Sequence, residues 1–295
     1  MREPIFTGTC TAIVTPFASN GSVNYDAFTR LIEKQIEGGV DAICVCGTTG
    51  ETSTLSIREH IAVVEHCVKQ VDHRVKVVAG AGSNDTSAAV YLSQHAQDSG
   101  ADALLLVTPY YNKASQTGLI KHYEYISDRV ELPIILYNVP SRTGVSFAAE
   151  TYKTLAQNPR INGVKEASGN FSLLAHTRAI CPEDFYIWSG NDDQVVPMMS
   201  LGAKGVISVA ANLVPEVMVQ MSHLCLDEHF SQASQLQLKY MELIDALFAE
   251  VNPIPIKAAL NLAGQEAGPL RLPLCDISEK NLELLKAAMA GVGLL

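Results

Sequence analysis

Apolar residues fall along this chain in two alternating patterns. Short continuous runs rich in β-branched residues recur as TAIVTPF, AICVCG, VKVVAGAG, ALLLVTPYY, PIILYNVP, INGVKEAS, FYIWSGND and GVISVAAN. They show no polar alternation, which predicts strands covered on both faces. Between them lie segments of helical period such as NYDAFTRLIEKQIEGG, STLSIREHIAVVEHCVKQ, DTSAAVYLSQHAQDSG and QTGLIKHYEYISDRV. Ser56 with Glu59 reads as a capping box, and Gly38 and Gly100 follow the last periodic residues of their helices.

Strand then helix, repeated about eight times, is the signature of a parallel sheet. Eight units in about 225 residues fit a closed (β/α)8 TIM barrel better than an open sheet with polar edges. No Gly-x-Gly-x-x-Gly follows the first run, which disfavours a dinucleotide-binding sheet. Beyond about Leu226 the strand signal stops. SQASQLQLKYMELIDALFAEV, IPIKAALNLAGQ and SEKNLELLKAAM read as three helices divided by the breakers NPIP and GPLRLP. The expected organisation is therefore a barrel over 1–225 and a helical appendage over 226–295.

Composition narrows the function. A formal net charge of -10 with no Lys/Arg block gives no footprint for nucleic acid or an anionic membrane. An anionic substrate would have to be drawn in by local positive groups. No apolar run reaches spanning length and the N-terminal MREPIFTGTCTAIVTPF lacks the ordered parts of a signal peptide, so a soluble cytoplasmic protein is expected. The seven cysteines show no C-x-x-C and the eight histidines no H-E-x-x-H. Packing thiols and no metal site are the expectation.

A barrel builds its reactive site at the carboxyl ends of the strands. These ends read GTTGE, TPYY, YNVPSRTG, VKEASG and SGND. Lys165 followed by Glu166 could be a surface ion pair. In a barrel mouth, however, desolvation disfavours the ammonium, and the neutral amine can attack a ketone or aldehyde. Such a lysine needs a proton carrier and an anchor for the substrate carboxylate. Tyr137 closes the preceding strand and could carry the proton through Thr48 and Tyr111, unless these are rim-packing groups. The backbone and hydroxyls of Thr48 and Thr49 could hold a carboxylate, unless GTTGE is an ordinary turn before a helix. Arg142 is either a solvated loop residue or a bidentate clamp for a second carboxylate.

GTTGE, TPYYN, YNVPSRTG and GVKEASG, in this order, resemble the dihydrodipicolinate synthase family. It belongs to the pyruvate-dependent class I aldolases, the superfamily that includes N-acetylneuraminate lyase. The likeness runs from the first strand to NPIPIKAAL and RLPL. It implies condensation of pyruvate with L-aspartate 4-semialdehyde at the entry to the diaminopimelate and lysine pathway, with no cofactor beyond a covalent imine on Lys165. By resemblance Tyr137, Thr48 and Tyr111 form a proton relay, Tyr111 coming from the neighbouring subunit of a homotetramer built as a dimer of dimers. Thr49 binds pyruvate, Arg142 the semialdehyde, and Gly190 and the carbonyl of Ile207 line the pocket.

A lysine-binding allosteric pocket would include Ser53, His60, Asn84 and Tyr110. Ile57 and Ala88, however, stand where lysine-sensitive members commonly carry a histidine and a glutamate, so weak or absent feedback is expected. Two other readings stay open. One is a sister lyase acting on N-acetylneuraminate or a keto-deoxy sugar acid, which Arg142 and the Thr48-Thr49 pair disfavour. The other is a non-catalytic ligand-sensing barrel.

Overall fold

A computed structural model describes all 295 residues. Eight parallel strands close on themselves in sequence order. They are β1 (Gly8–Ala12), β2 (Ala42–Val45), β3 (Lys76–Gly80), β4 (Ala103–Val107), β5 (Ile134–Asn138), β6 (Ile161–Glu166), β7 (Tyr186–Ser189) and β8 (Gly205–Ser208). The fold is the (β/α)8 TIM barrel that the strand–helix alternation predicts.

Closure explains the unbroken apolar runs, because each strand is covered by helices outside and by its neighbours' side chains inside. The outward set, among them Ile43, Leu104, Leu136, Val164 and Val206, merges with the helices into one large core. The inward set is a smaller cluster that includes Cys10, Cys44, Leu105, Ile135, Tyr137, Trp188 and Ile207. The capping box forms as read: Ser56 and Glu59 cap helix Ile57–Val71 reciprocally. Gly38 caps helix Tyr25–Glu37, and Gly100, at φ +89°, follows helix Thr86–Asp98 in the left-handed region that glycine favours.

Two boundaries differ from the sequence reading. The first run gives a strand that starts earlier and ends at Ala12, short of Pro16. The long stretch after Leu226 breaks at Tyr240 into helices Phe230–Lys239 and Met241–Leu247. The first of these packs on the last barrel helices, Val195–Ser200 and Pro215–Leu226. The second groups with Ile254–Leu262 and Glu279–Gly291 as a three-helix appendage. Leu243, Leu247, Ile256, Leu260, Leu285 and Met289 of this appendage belong to the same apolar core as the barrel helices.

Candidate functional site

Register decides what faces the barrel mouth. Tyr137 pairs with Lys165, which pairs with Trp188, and all three lie on the inward face near the carboxyl ends of their strands. Lys165 is 6% exposed and Tyr137 7%. The lysine Nζ sits 4.4 Å from the centroid of the Tyr137 ring, and Lys165 takes part in no ion pair. Glu166, the alternative partner in the sequence, is buried and faces the other way, toward Asn138 and Tyr152. Gly190 leaves the space the lysine crosses: a Cβ there would lie 3.1 Å from Lys165 Cε and 2.6 Å from the Ala167 Cβ. Ile207 is fully buried in β8 among the inward residues.

GTTGE turns back over the mouth after β2, though not as the sequence suggested. A 3-10 turn, Thr52–Thr54, and the Ser56 cap separate it from the next helix, so the loop is not itself a helix N-terminus. The left-handed positions are Cys46 and Glu51, at φ 55° and 53°, rather than the two glycines. Gly50 is required by close approach instead, since its Cβ would come within 3.2 Å of the Ile13 carbonyl. The backbone N–H groups of Thr48 and Thr49 find no acceptor within the chain, which leaves two adjacent donors for an anion.

Thr49 is buried, and its hydroxyl accepts from Asn252 Nδ2 at 2.9 Å. The carbonyl of the same Asn252 accepts from Arg142 at 3.1 Å. One residue from the C-terminal region thus touches both groups read as carboxylate binders. Behind it, the buried Glu51 carboxylate accepts from Lys257 Nζ at 2.8 Å and from the Arg271 backbone N–H at 3.0 Å. Sequence reasoning did not single out Asn252, Lys257 or this use of Glu51. The only signal for Asn252 and Lys257 was their place in the NPIPIKAAL segment, and for Glu51 its place at the end of GTTGE.

Over the carboxyl ends of β2 to β5, a cavity of about 450 Å3 is lined by Thr48, Arg142, Thr143, Ser53, His60, Ile57 and Tyr110 among others; Lys165 and Tyr137 are not in its lining. It joins part of the expected substrate set to part of the expected allosteric set. Asn84 is not among its lining residues, and its carbonyl accepts from Asn112. His60 Nε2 is already engaged by the Gly80 carbonyl at 2.8 Å, while Ile57 is 56% exposed. Tyr111 stands apart from the lysine cluster: it is 91% exposed, on a loop with φ +70°.

Burial marks the thiols inside the barrel as packing groups. Cys10 and Cys44 lie inside the barrel, where burial pushes their thiols up, Cys44 to about 11. They remain protonated and inert as nucleophiles at neutral pH. All seven cysteines are free. Asp192, from SGND, is fully buried, and burial raises its carboxyl. Its Oδ2 accepts from the N–H groups of Val209 and Ala210, which ties the ends of β7 and β8 together.

Comparison with known proteins agrees with this geometry. A model of the Dihydrodipicolinate synthetase family matches residues 5–291. The chain is 50% identical over 295 residues to a 4-hydroxy-tetrahydrodipicolinate synthase of Acetivibrio thermocellus, covering 100% of both chains. A crystal structure of dihydrodipicolinate synthase from Thermotoga maritima superposes with a TM-score of 0.96 at 42% identity, covering 99% of this chain and 100% of that one. A synthase of the same kind from Cyanidioschyzon merolae with lysine bound gives 0.96 at 40% identity, covering 99% and 100%.

Proposed function

The chain belongs to the dihydrodipicolinate synthetase family, and from that membership we propose that it is a Schiff-base-forming lyase-type enzyme that condenses pyruvate with L-aspartate 4-semialdehyde. This is the entry step to diaminopimelate and lysine. The observation that carries the reading is Lys165: a buried amine at a strand's carboxyl end, unpaired by any carboxylate and lying on the Tyr137 ring.

In this reading the neutral Lys165 amine adds to the pyruvate ketone. Loss of water gives the imine, and loss of a methyl proton gives the enamine. The enamine carbon attacks the semialdehyde carbon, whose oxygen takes up a proton. The semialdehyde's own amine then adds at the imine carbon, closes the ring and releases Lys165. Every step moves a proton, which is the task assigned to the Tyr137 hydroxyl, with Thr48 as its neighbour in the relay. No cofactor is required, because the electron sink is the imine itself.

The free N–H groups of Thr48 and Thr49 support pyruvate-carboxylate binding there, and Arg142 at the cavity wall supports binding of the semialdehyde carboxylate. Gly190, packed against the Lys165 side chain, and the Ile207 carbonyl would line the pocket around the lysine. The exposure of Tyr111 supports its delivery to the relay of a neighbouring subunit, within a homotetramer acting in the cytoplasm. Turnover of pyruvate with L-aspartate 4-semialdehyde, set against cleavage of N-acetylneuraminate, tests the assignment. Condensation without sialate cleavage is expected; the reverse would assign the chain to the sister lyases.

A further inference from the structure

The strand that carries Lys165 does not pair with its neighbour in a single unbroken register. Ile161 pairs with Ile134, but Gly163 pairs with Ile135, so one residue of β6 is absorbed as a bulge near its start. Bulges re-aim side chains, and a one-residue slip turns every inward side chain outward. On its other side β6 lies tight against β7 at Gly163: a Cβ there would lie 2.0 Å from the Tyr186 carbonyl oxygen. Past it, Leu136 pairs with Val164, Tyr137 with Lys165 and Asn138 with Glu166. Something must hold this register at the far end, where Lys165 points into the mouth.

The last rung is polar and faces away from the substrate. Asn138 is fully buried and Glu166 is 4% exposed, both on the helix side of the barrel. Asn138 Nδ2 lies 3.0 Å from each Glu166 carboxylate oxygen. Oε2 accepts from the Tyr152 hydroxyl at 2.9 Å and Oε1 from the Ser168 N–H at 2.8 Å. Burial, followed by Glu166's charge, pushes the Tyr152 phenol well above its usual range, so it serves as a donor. No cation neutralises this carboxylate. Asn138 also donates to Ser146 Oγ at 3.2 Å and accepts from the Phe147 N–H at 3.4 Å, at the far end of the loop that carries Arg142.

We propose that Asn138 and Glu166 are positioning residues for the Lys165 chemistry: their amide–carboxylate rung forms only in the shifted register, and so holds the Lys165 amine against Tyr137. Neither residue faces the substrate. Their outward pair fixes where the adjacent inward pair meets. The proposal rests on the reading of Lys165 as the imine-forming group.

The test is the rate of borohydride trapping by pyruvate in the full-length protein, followed by intact mass. Asn138→Asp sets two carboxylates against each other, and a displacement of the amine by about 1 Å predicts a limiting rate about 10²-fold lower. The pyruvate concentration giving half that rate stays near wild type, because the anchor is on the loop after β2. The double variant Asn138→Asp, Glu166→Gln restores an amide–carboxylate pair with the roles exchanged. It is expected to recover to within about threefold of wild type, a rescue that general loss of stability would not give.

Wild-type rates in a folded Asn138→Asp protein, or a folded double variant that stays as slow as the single one, would overturn the proposal. If Asn138→Asp does not fold, the double variant alone decides it. A wild-type protein that is never trapped would instead overturn the imine reading, and this proposal with it.

Discussion

Two lysines of this chain are buried, and they are treated in opposite ways. Lys257, on the C-terminal helix Ile254–Leu262, is 1% exposed, and its Nζ donates to Glu51, to the Thr15 carbonyl at 3.1 Å and to the Pro269 carbonyl at 2.7 Å. Three acceptors match three ammonium protons. Burial lowers its pKa, and the Glu51 charge opposes that shift. Lys165 has no ion pair, only the face of a tyrosine ring at 4.4 Å. A lysine serving as a structural cation has its protons saturated. A lysine serving as a nucleophile keeps its nitrogen uncommitted, so burial alone does not separate the two and the acceptor count does.

Breaking the first environment should cost stability more than any other change considered. Lys257→Met strands the Glu51 carboxylate, and a cost of about 3–5 kcal/mol is expected in urea unfolding. Adding Glu51→Gln should recover a large part of it. A full penalty that persists in the double variant would show that the ion pair was not the cause.

A third buried base sharpens the contrast. His122 is 6% exposed, bonded through Nδ1 to the Thr86 hydroxyl at 2.9 Å and unpartnered at Nε2, and burial pushes it down to about 4. Below about pH 6.5 the unfolded chain takes up a proton that the folded protein refuses. This contribution is complete above pH 6.5 and is lost as pH falls toward 4. His122→Gln should flatten that limb of a stability–pH curve; an unchanged slope would contradict it.

Asn252 joins the two regions. Asn252→Ala removes the 2.9 Å bond to Thr49, worth about 1 kcal/mol. Half-saturating pyruvate should rise about fivefold while trapping at saturation is preserved. An unchanged pyruvate dependence would remove Asn252 from the anchor. The smallest effect concerns free lysine. With Ile57 and Ala88 in the expected effector pocket, a charge-assisted contact of about 1.5–3 kcal/mol is missing, and submillimolar lysine should leave turnover unchanged.

The barrel half of this comparison was legible in the sequence, because strands covered on both faces must be continuously apolar and an ionisable residue closing such a run stands out. The brace was not. Glu51 and Lys257 are 206 positions apart, and Asn252 lies 203 from Thr49, so no local period or spacing connects them. GTTGE was recognisable as a loop, but the left-handed positions fell on Cys46 just before it and on Glu51 at its end, not on its two glycines. Glu166 looked like an exposed ion-pair partner because the bulge and the rung to Asn138 exist only once β5 and β6 are paired.

The most direct test of the uncommitted nitrogen is borohydride reduction with pyruvate, followed by peptide mapping of wild type, Lys165→Ala and Lys257→Met. The account predicts one pyruvate-derived adduct, on the Lys165 peptide of wild type and of Lys257→Met, and none on Lys165→Ala. An adduct on Lys257, or an unmodified wild-type protein under conditions that trap a known aldolase, would contradict it.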